Sequence, residues 1–205
     1  TKETSRTVSS SSPASPNAIH APKGLQGHLL IAVPQMLAPR FKKAVILMCQ
    51  HDSQSAMGFV INQQSDQLNL GSLYETLEIG TPRFCAEQPV FIGGPIDGNR
   101  GFVVHSQDHM LPESNPVTHE IGLTTSLHIL EDISNGTGPS RSIISLGYAG
   151  WGGGQLDAEI AANAWLTLPA SHELVFDCDT DDMWDETYAA LGINPAHYTG
   201  TAGNA

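Results

Sequence analysis

Short apolar runs bounded by Pro, Gly, Asp and Asn recur along the middle of the chain. Runs of about four to eight apolar, partly β-branched residues with such borders are typical of buried strands. The stretches that fit are residues 28–34, 44–51, 58–62, 89–92, 101–106 and 142–146, with a shorter run at 174–176. Turn-forming residues 93–99 join two of them, which predicts a hairpin between 89–92 and 101–106.

Four other stretches carry apolar residues three or four positions apart, the spacing of one helix face. They are residues 70–79, 124–133, 155–164 and 183–191. Strands outnumber helices, so the predicted fold class is α/β or mixed α+β, with helices packed on a mixed β-sheet. Residues 142–177 are the clearest candidate for a parallel crossover, because a strand, a glycine-rich loop, a helix and a second strand follow one another there.

The beginning of the chain differs in composition from the rest. Residues 1–23 are rich in Ser, Thr and Pro and hold few apolar side chains to offset the entropy cost of ordering them. We predict a disordered tail there and a single domain over residues 24–205. A chain of 205 residues suits one ordinary domain with a substantial core.

The charge balance is acidic and uneven. Nine Lys and Arg against 21 Asp and Glu give a formal net charge of -12, and no Lys or Arg follows Arg141. Such a surface repels duplex DNA unless a basic patch compensates, and the best candidate patch, Arg40 with Lys42 and Lys43, is small. Direct DNA binding is therefore not expected. The acidic run 177–182 lacks the spacing of a calcium loop and favours a solvated or partner-facing surface.

The three cysteines are widely separated and lack the spacing of zinc ligands or of a CxxC motif. Neither a disulfide framework nor a structural zinc site is expected, and a reducing cytoplasm is the simplest setting. No signal-peptide pattern occurs, and no apolar stretch approaches the roughly 20 residues that a bilayer span needs. We predict a cytoplasmic protein without membrane insertion, bound metal or cofactor.

The most unusual segment is GYAGWGGGQL at 147–156, which holds five glycines and two large aromatic rings. A strand that feeds a glycine loop and then a helix can hold a phosphate on free backbone N–H groups. The known patterns fit poorly, because Gln155 stands where they need Lys or Gly. Two alternatives remain: a tight strand-to-helix joint with Tyr148 and Trp151 in the core, or a pocket wall with Gln155 and Glu159 on the exposed helix face.

Histidines and cysteines supply the other candidate chemistry. His51 ends an apolar strand beside Asp52 and could be an oriented base or a histidine held by a backbone carbonyl. His105 and His109 have HxxxH spacing, but no helix is predicted beneath them. Cys49 lies near His51, yet a buried inert thiol is the better interpretation. No GxSxG motif of a serine hydrolase occurs.

Several longer segments stand together in a recognisable order. They are GHLLIAVP (27–34), AVILMCQH (44–51), AMGFVIN (56–62), PVFIGGP (89–95), RGFVVHS (100–106) and LGYAGWGGGQLDAEIAANAWL (146–166). On these motifs, which span about residues 25–204, the chain resembles the AlgH/YqgE family of bacterial proteins. The GYAGWxxGQL segment is highly specific. The chain departs from the family pattern at Ala38, Gln63 and Asn204, where Asp, Arg and His are common.

The resemblance implies an AlgH-like α/β or α+β fold with a bent mixed sheet and a largely uncharacterised function. Family members often carry the label of transcriptional regulator, from a link to exopolysaccharide synthesis in one lineage. Because the chain is acidic, we interpret such a role as indirect, through a protein or small-molecule partner. The absence of Arg at 63 and of His at 204 weakens any proposal that those positions catalyse a reaction.

Three hypotheses about function follow. The first is a non-enzymatic regulator or adaptor with a pocket framed by the Gly-Gly-Pro turn and the glycine-rich segment. The alternative is an enzyme or binding protein for a nucleotide or other phosphorylated metabolite, which would use the loop 147–154; a DNA-binding repressor is the third. The candidate site residues are Gly93, Gly94, Pro95, Tyr148, Gly150, Trp151, Gly152, Gly154, Gln155, Glu159, His51, Asn62 and His105.

Overall fold

The computed structural model describes residues 24–198; the predicted tail at 1–23 and residues 199–205 lie outside the described residues. Within that range the strands are β1 His28–Ala32, β2 Val45–His51, β3 Ser55–Val60, β4 Gln64–Asn69, β5 Pro89–Ile92, β6 Ile96–Ser106, β7 Asn115–Pro116, β8 Ile121–Thr124, β9 Ser142–Gly152 and β10 Trp165–Pro169. The helices are α1 Leu70–Leu77, α2 His128–Asn135, α3 Gln155–Ala161 and α4 Met183–Ala190. Short helical turns occupy Pro39–Phe41, Glu173–Asp177 and Pro195–His197. Of the helices in this part of the chain, none has the length and apolar character that a membrane crossing needs.

The strands form one curled sheet around β9. Their order is β10-β1-β2-β3-β9-β6-β8-β7, while β4 pairs with β5 and β5 pairs with β9. The β5–β9 pair is parallel, and the other strand pairs of the described range are antiparallel. The predicted fold class, helices packed on a bent mixed sheet, is confirmed.

Both faces of the sheet are covered. Leu29 and Leu30 are neighbours on β1 but belong to different core clusters, because successive side chains of a strand point to opposite faces. One cluster includes Tyr188 of α4, and the other buries Trp151 and Trp165 beside α3. A third cluster packs α1 and α2 against β5, β6 and β9.

The glycine-rich segment is a strand for most of its length, so the predicted loop 147–154 is wrong. β9 runs on to Gly152, since Met57 and Gly58 of β3 pair with Gly150 and Ala149. Burial alternates along the segment as a two-sided strand requires, but glycines carry no side chain that would show this alternation in the sequence. Only Gly153 and Gly154 form the turn before α3.

Two predicted strand connections differ from those in the structure. The segments 89–92 and 101–106 do not pair as a hairpin, because β9 lies between them: Ile144 pairs with Val90 of β5 and with Val103 of β6. The parallel crossover predicted within residues 142–177 ends on a different strand. The chain passes through α3 to β10, which four successive antiparallel pairs, β9–β3, β3–β2, β2–β1 and β1–β10, orient in the same direction as β9. The predicted strand 174–176 lies in the helical turn Glu173–Asp177.

The four predicted helices are present with shifted ends. α2 begins at His128, because Thr124 still pairs with Val103 in the sheet. α3 ends at Ala161, since Asn163 adopts a positive φ of 58° that the helix cannot continue through. Local spacing therefore located the helices, while sheet pairing set the start of α2 and the backbone of Asn163 set the end of α3.

Candidate functional site

The segment Gly93-Gly94-Pro95 carries the chain from one edge of β9 to the other. β5 pairs with one edge and β6 with the opposite edge, so these three residues must pass over β9 itself. The backbone of Gly93 is fixed on the way: its N–H donates to the Leu146 carbonyl at 2.9 Å, and its carbonyl accepts the Val60 N–H at 2.8 Å.

The two glycines are required because the crossing is so close. A Cβ on Gly93 would overlap the Ser145 hydroxyl and the Gly147 carbonyl oxygen. A Cβ on Gly94 would overlap the peptide that joins Tyr148 to Ala149. Only a residue without a side chain fits at either position. Gly93 and Gly94 thus build the crossing and leave Pro95 beside a cavity.

This cavity has a volume of about 290 Å³, and we name it the tryptophan cavity. It lies between the end of β9, helix α3, the start of β10 and the turn at Pro39–Phe41. Its lining consists of Met36, Ala38, Phe41, Pro95, Ala149, Gly150, Trp151, Gln155, Glu159, Ala164 and Trp165.

A carboxylate held by two indoles organises the tryptophan cavity. The Nε1–H groups of Trp151 and Trp165 both donate to Oε2 of Glu159, each at 2.9 Å. Gln155 Nε2 donates to the other oxygen, Oε1, at 3.0 Å, while Gln155 Oε1 accepts the Gly152 N–H at 3.1 Å. Glu159 is therefore fixed by three donors from two strands and its own helix.

The walls of the tryptophan cavity are rigid aromatic rings. Trp151 and Trp165 are only 7% and 4% exposed, and their ring centroids lie 6.4 Å apart at an interplanar angle of 83°. Phe41 meets Trp165 edge to face, with a centroid distance of 5.7 Å. Such perpendicular packing is favoured by the ring quadrupoles, which limits the freedom of the rings to close the space.

Within the part of the chain that the structure describes, the charge of Glu159 has no cationic neighbour. Among residues 24–198, no nitrogen of a Lys, Arg or His side chain lies within 4.0 Å of its carboxylate. The dipoles of two indole N–H groups and one amide N–H hold this anion without neutralising it. The tryptophan cavity thus combines an apolar wall with one negative charge.

The three remaining polar candidates lie elsewhere. His51 is 8% exposed; its Nδ1 accepts the Leu25 N–H at 3.0 Å, and its Nε2 lies 3.6 Å from Asp157. Because Nδ1 accepts a hydrogen bond, the ring proton is on Nε2. The expected carbonyl partner is replaced by a backbone N–H. Asn62 is used by the backbone as well, accepting from Val45 N and donating to the Lys43 carbonyl, each at 2.9 Å.

His105 is fully buried and belongs to the framework. Its Nδ1 donates to the Ser106 carbonyl at 2.9 Å, and its Nε2 lies 3.3 Å from the Ser114 hydroxyl. Burial lowers the pKa of His105, which keeps the ring neutral. His51 and His105 therefore do not face Glu159 across a common site.

The rest of the glycine-rich segment divides between two faces. Tyr148 packs on Phe102 at a centroid distance of 5.7 Å, in the core on the opposite side of β9 from Trp151. Gly152 and Gly154 are exposed at the turn, where Gly154 precedes α3 with a φ of 73°. The structure thus brings together Pro95, Gly150, Trp151, Gln155 and Glu159, and separates them from Tyr148 and the histidines.

Comparison with known proteins identifies the family to which the chain belongs. A family model described as AlgH-like matches residues 29–196. The chain belongs to the AlgH-like family. A UPF0301 protein of Chelativorans sp. is 45% identical over 187 residues, covering 88% of this chain and 93% of that protein. A UPF0301 protein of Jannaschia sp. is 46% identical over 183 residues, covering 88% and 95%.

Solved structures agree with this AlgH-like assignment. The solution structure of the AlgH protein from Pseudomonas aeruginosa matches with a TM-score of 0.74 and 40% identity, over 90% of this chain and 98% of that one. A crystal structure of a protein from Corynebacterium diphtheriae matches with a TM-score of 0.68 at 22% identity, over 82% and 87%, and so shows likeness of fold alone.

Sequence reasoning missed two rings of the tryptophan cavity, Phe41 and Trp165. Trp165 carried a usable signal: a buried indole N–H needs an acceptor, and Glu159 stands six residues earlier. Ala38, one of the departures from the family pattern, also lines the tryptophan cavity. Gln63, another departure, donates to the Arg40 carbonyl at 3.1 Å, and Asn204 lies outside the described residues.

Proposed function

We propose that this AlgH-like chain is a non-enzymatic binding protein that acts indirectly in regulation, through a small molecule or protein group held in the tryptophan cavity. The observation that carries the proposal is the construction of that cavity. A carboxylate fixed by three donors borders an apolar space between rigid rings, and few precisely placed polar groups in an apolar pocket are typical of ligand sites.

The position of the cavity supports the same proposal. The motif on which the family resemblance rests most strongly, GYAGWxxGQL, supplies Ala149, Gly150, Trp151 and Gln155 to its wall. The motif also supplies the peptide over which Gly94 crosses, so one segment builds both the fold and the cavity.

A phosphate-binding role finds no support at this site. The predicted anion loop is a strand as far as Gly152, and the Gly152 N–H already donates to Gln155. Glu159 adds a negative charge beside any group that enters, which would repel a phosphate. We therefore propose that the tryptophan cavity binds a neutral or cationic group and that the protein acts without direct contact with DNA.

A ligand screen read by nuclear magnetic resonance tests the proposal. The chain has three tryptophans, and each gives one indole N–H signal. Trp184 donates to the Ala32 carbonyl at 2.8 Å in another cluster and serves as an internal reference. We expect bacterial metabolite fractions or partner peptides to shift the signals of Trp151 and Trp165 and to leave that of Trp184 unchanged.

A pair of neighbouring variants makes the result specific. Ala38→Phe places a ring in the tryptophan cavity and should abolish the shifts. Leu37→Phe is the matched control, because Leu37 is 94% exposed and lies outside that lining. The proposal fails if no fraction shifts the two signals, if Ala38→Phe leaves binding intact, or if the protein binds duplex DNA at about 0.15 M salt.

A further inference from the structure

The unused acceptor capacity of Glu159 points to the chemistry of the ligand. A carboxylate offers about four acceptor positions on its two oxygens. Among residues 24–198, Oε2 accepts two indole N–H groups and Oε1 accepts one amide N–H, so these residues leave one position on Oε1 for a further donor. An additional donor beside the tryptophan cavity would complete the shell of this carboxylate.

That donor should be positively charged. Two indoles and an amide stabilise the carboxylate as dipoles but leave its net charge in place, and within residues 24–198 no basic side chain reaches it. Hydrogen bonds between an ammonium group and a carboxylate are roughly twice as strong as those between neutral groups. A charged donor therefore gains more from this site than an alcohol or an amide.

The remainder of the cavity selects what the charged group is attached to. Met36, Phe41 and the two tryptophan rings present apolar surface around the carboxylate, which favours an alkyl chain over a polar body. A volume of about 290 Å³ is ample for a chain of a few carbons.

From these observations we propose that the tryptophan cavity binds a primary alkylammonium group, with the ammonium on Oε1 of Glu159 and the alkyl chain against Phe41 and the indoles. The inference rests on the function proposed for the same cavity and names its ligand class. The group could belong to a free alkylamine or to a lysine side chain of a partner protein. The lysine side chain and n-butylammonium present the same four-carbon chain and charge.

Titration with n-butylammonium chloride tests the inference, with 1-pentanol as a neutral probe of similar length. We expect n-butylammonium to shift the indole N–H signals of Trp151 and Trp165 saturably and to leave Trp184 unchanged. Binding of 1-pentanol should be weaker by about tenfold or more, the factor expected for one lost charge-assisted hydrogen bond.

Two variants on the same helix, each of which removes one negative charge, distinguish the effect of the Glu159 charge from the effect of the net charge of the protein. Glu159→Gln keeps an oxygen that can accept from both indoles but loses the charge. It should weaken the binding of n-butylammonium by about tenfold or more. Asp157→Asn removes an equal charge from a side chain that is 67% exposed and outside the cavity lining, and it should leave the affinity unchanged.

The two sources of the group are separated by a third probe. N-acetyl-lysine N-methylamide carries the same side chain with a peptide group on each side. Binding at least as tight as that of n-butylammonium assigns the site to a partner's lysine, and loss of binding assigns it to a free amine. Either result supports the alkylammonium proposal.

Other outcomes overturn it and distinguish it from the proposed function. If 1-pentanol binds as well as n-butylammonium, or if Glu159→Gln binds the amine unchanged, the charge has no role and the inference is wrong. The tryptophan cavity would then remain a ligand site for neutral apolar groups. If neither probe moves the two signals, the inference fails, and the metabolite screen with Ala38→Phe decides the broader proposal separately.

Discussion

Gly94 lies against the carbonyl group of Tyr148, with no space between them for a side chain. This contact is what allows three residues to carry the chain across β9 and to place β5 and β6 on its opposite edges. The same crossing places Pro95 in the lining of the tryptophan cavity, to which Trp151 also belongs. A backbone contact in the core thus shapes the wall of the tryptophan cavity.

Gly94→Ala should be strongly destabilising. The new methyl group would overlap the backbone of β9, which cannot move without breaking its pairing with β3 and β6, and we expect a loss of about 3 kcal/mol of unfolding free energy. Urea denaturation measures this loss. Gly98→Ala is the control: a Cβ there meets nothing within 4 Å, so its effect should stay within about 0.5 kcal/mol. If Gly94→Ala lost as little unfolding free energy as is expected for Gly98→Ala, the crossing would tolerate a side chain.

Removal of the Glu159 acceptor should destabilise the protein more than removal of its charge. Glu159→Ala leaves two largely buried indole N–H groups without a partner, which costs on the order of 2 kcal/mol. Glu159→Gln keeps an oxygen acceptor and should cost clearly less. Chemical denaturation compares the two variants. A Glu159→Gln loss as large as that of Glu159→Ala would mean that the site requires acceptors on both carboxylate oxygens, since Gln155 Nε2 donates to the second one.

The two residues of the site that lie on helix α3 could be predicted from the sequence. Gln155 and Glu159 were predicted on one helix face by their spacing of four, and their side chains do form a hydrogen bond at 3.0 Å. Trp151 and Trp165 reach Glu159 from two strands that are not neighbours in the sheet. Sequence spacing cannot show such a meeting, because it depends on the pairing of β3, β2 and β1 between them.

The errors have one physical origin. Periodicity reports local structure, whereas the partner of a strand is set by tertiary packing. The segments around β9 were therefore found, yet their connections were misjudged, since a direct crossing over a strand is visible only as two adjacent glycines. For the same reason His51 and Asn62 were candidates for the site, although distant backbone groups at Leu25 and Val45 use their side chains.

Stability should fall as the pH drops below about 6.5, partly through His105. Burial lowers the pKa of His105 in the folded protein, so the unfolded chain binds a proton that the folded one does not. The unfolding free energy then decreases with falling pH, from the unfolded pKa down to the lowered folded pKa, by at most about 1.4 kcal/mol per pH unit for one histidine.

His105→Gln should reduce this slope between about pH 7 and pH 5 in urea denaturation, because the variant has no ring to protonate. His119→Gln is the matched control, since His119 is 89% exposed, and it should leave the slope as in the parent chain. If His105→Gln lowers stability equally at both pH values and the slope persists, the pH dependence belongs to other groups.

The three cysteines should react with iodoacetamide at about pH 8 in the order Cys85, Cys178, Cys49, because the thiolate is the reactive form. Cys85 is exposed. At Cys178, partial burial and the neighbouring carboxylates of Glu186 and Asp182 raise the pKa, which slows alkylation. Burial raises the pKa of Cys49 far more, and its thiol is packed in the core, so this residue should react only after unfolding.

Peptide mass spectrometry over time gives the alkylation rates of the three cysteines. Alkylation in denaturant, where all three should react alike, is the control. Rapid modification of Cys49 in the native protein would mean that β2 opens locally, which would contradict the tight packing of the sheet centre.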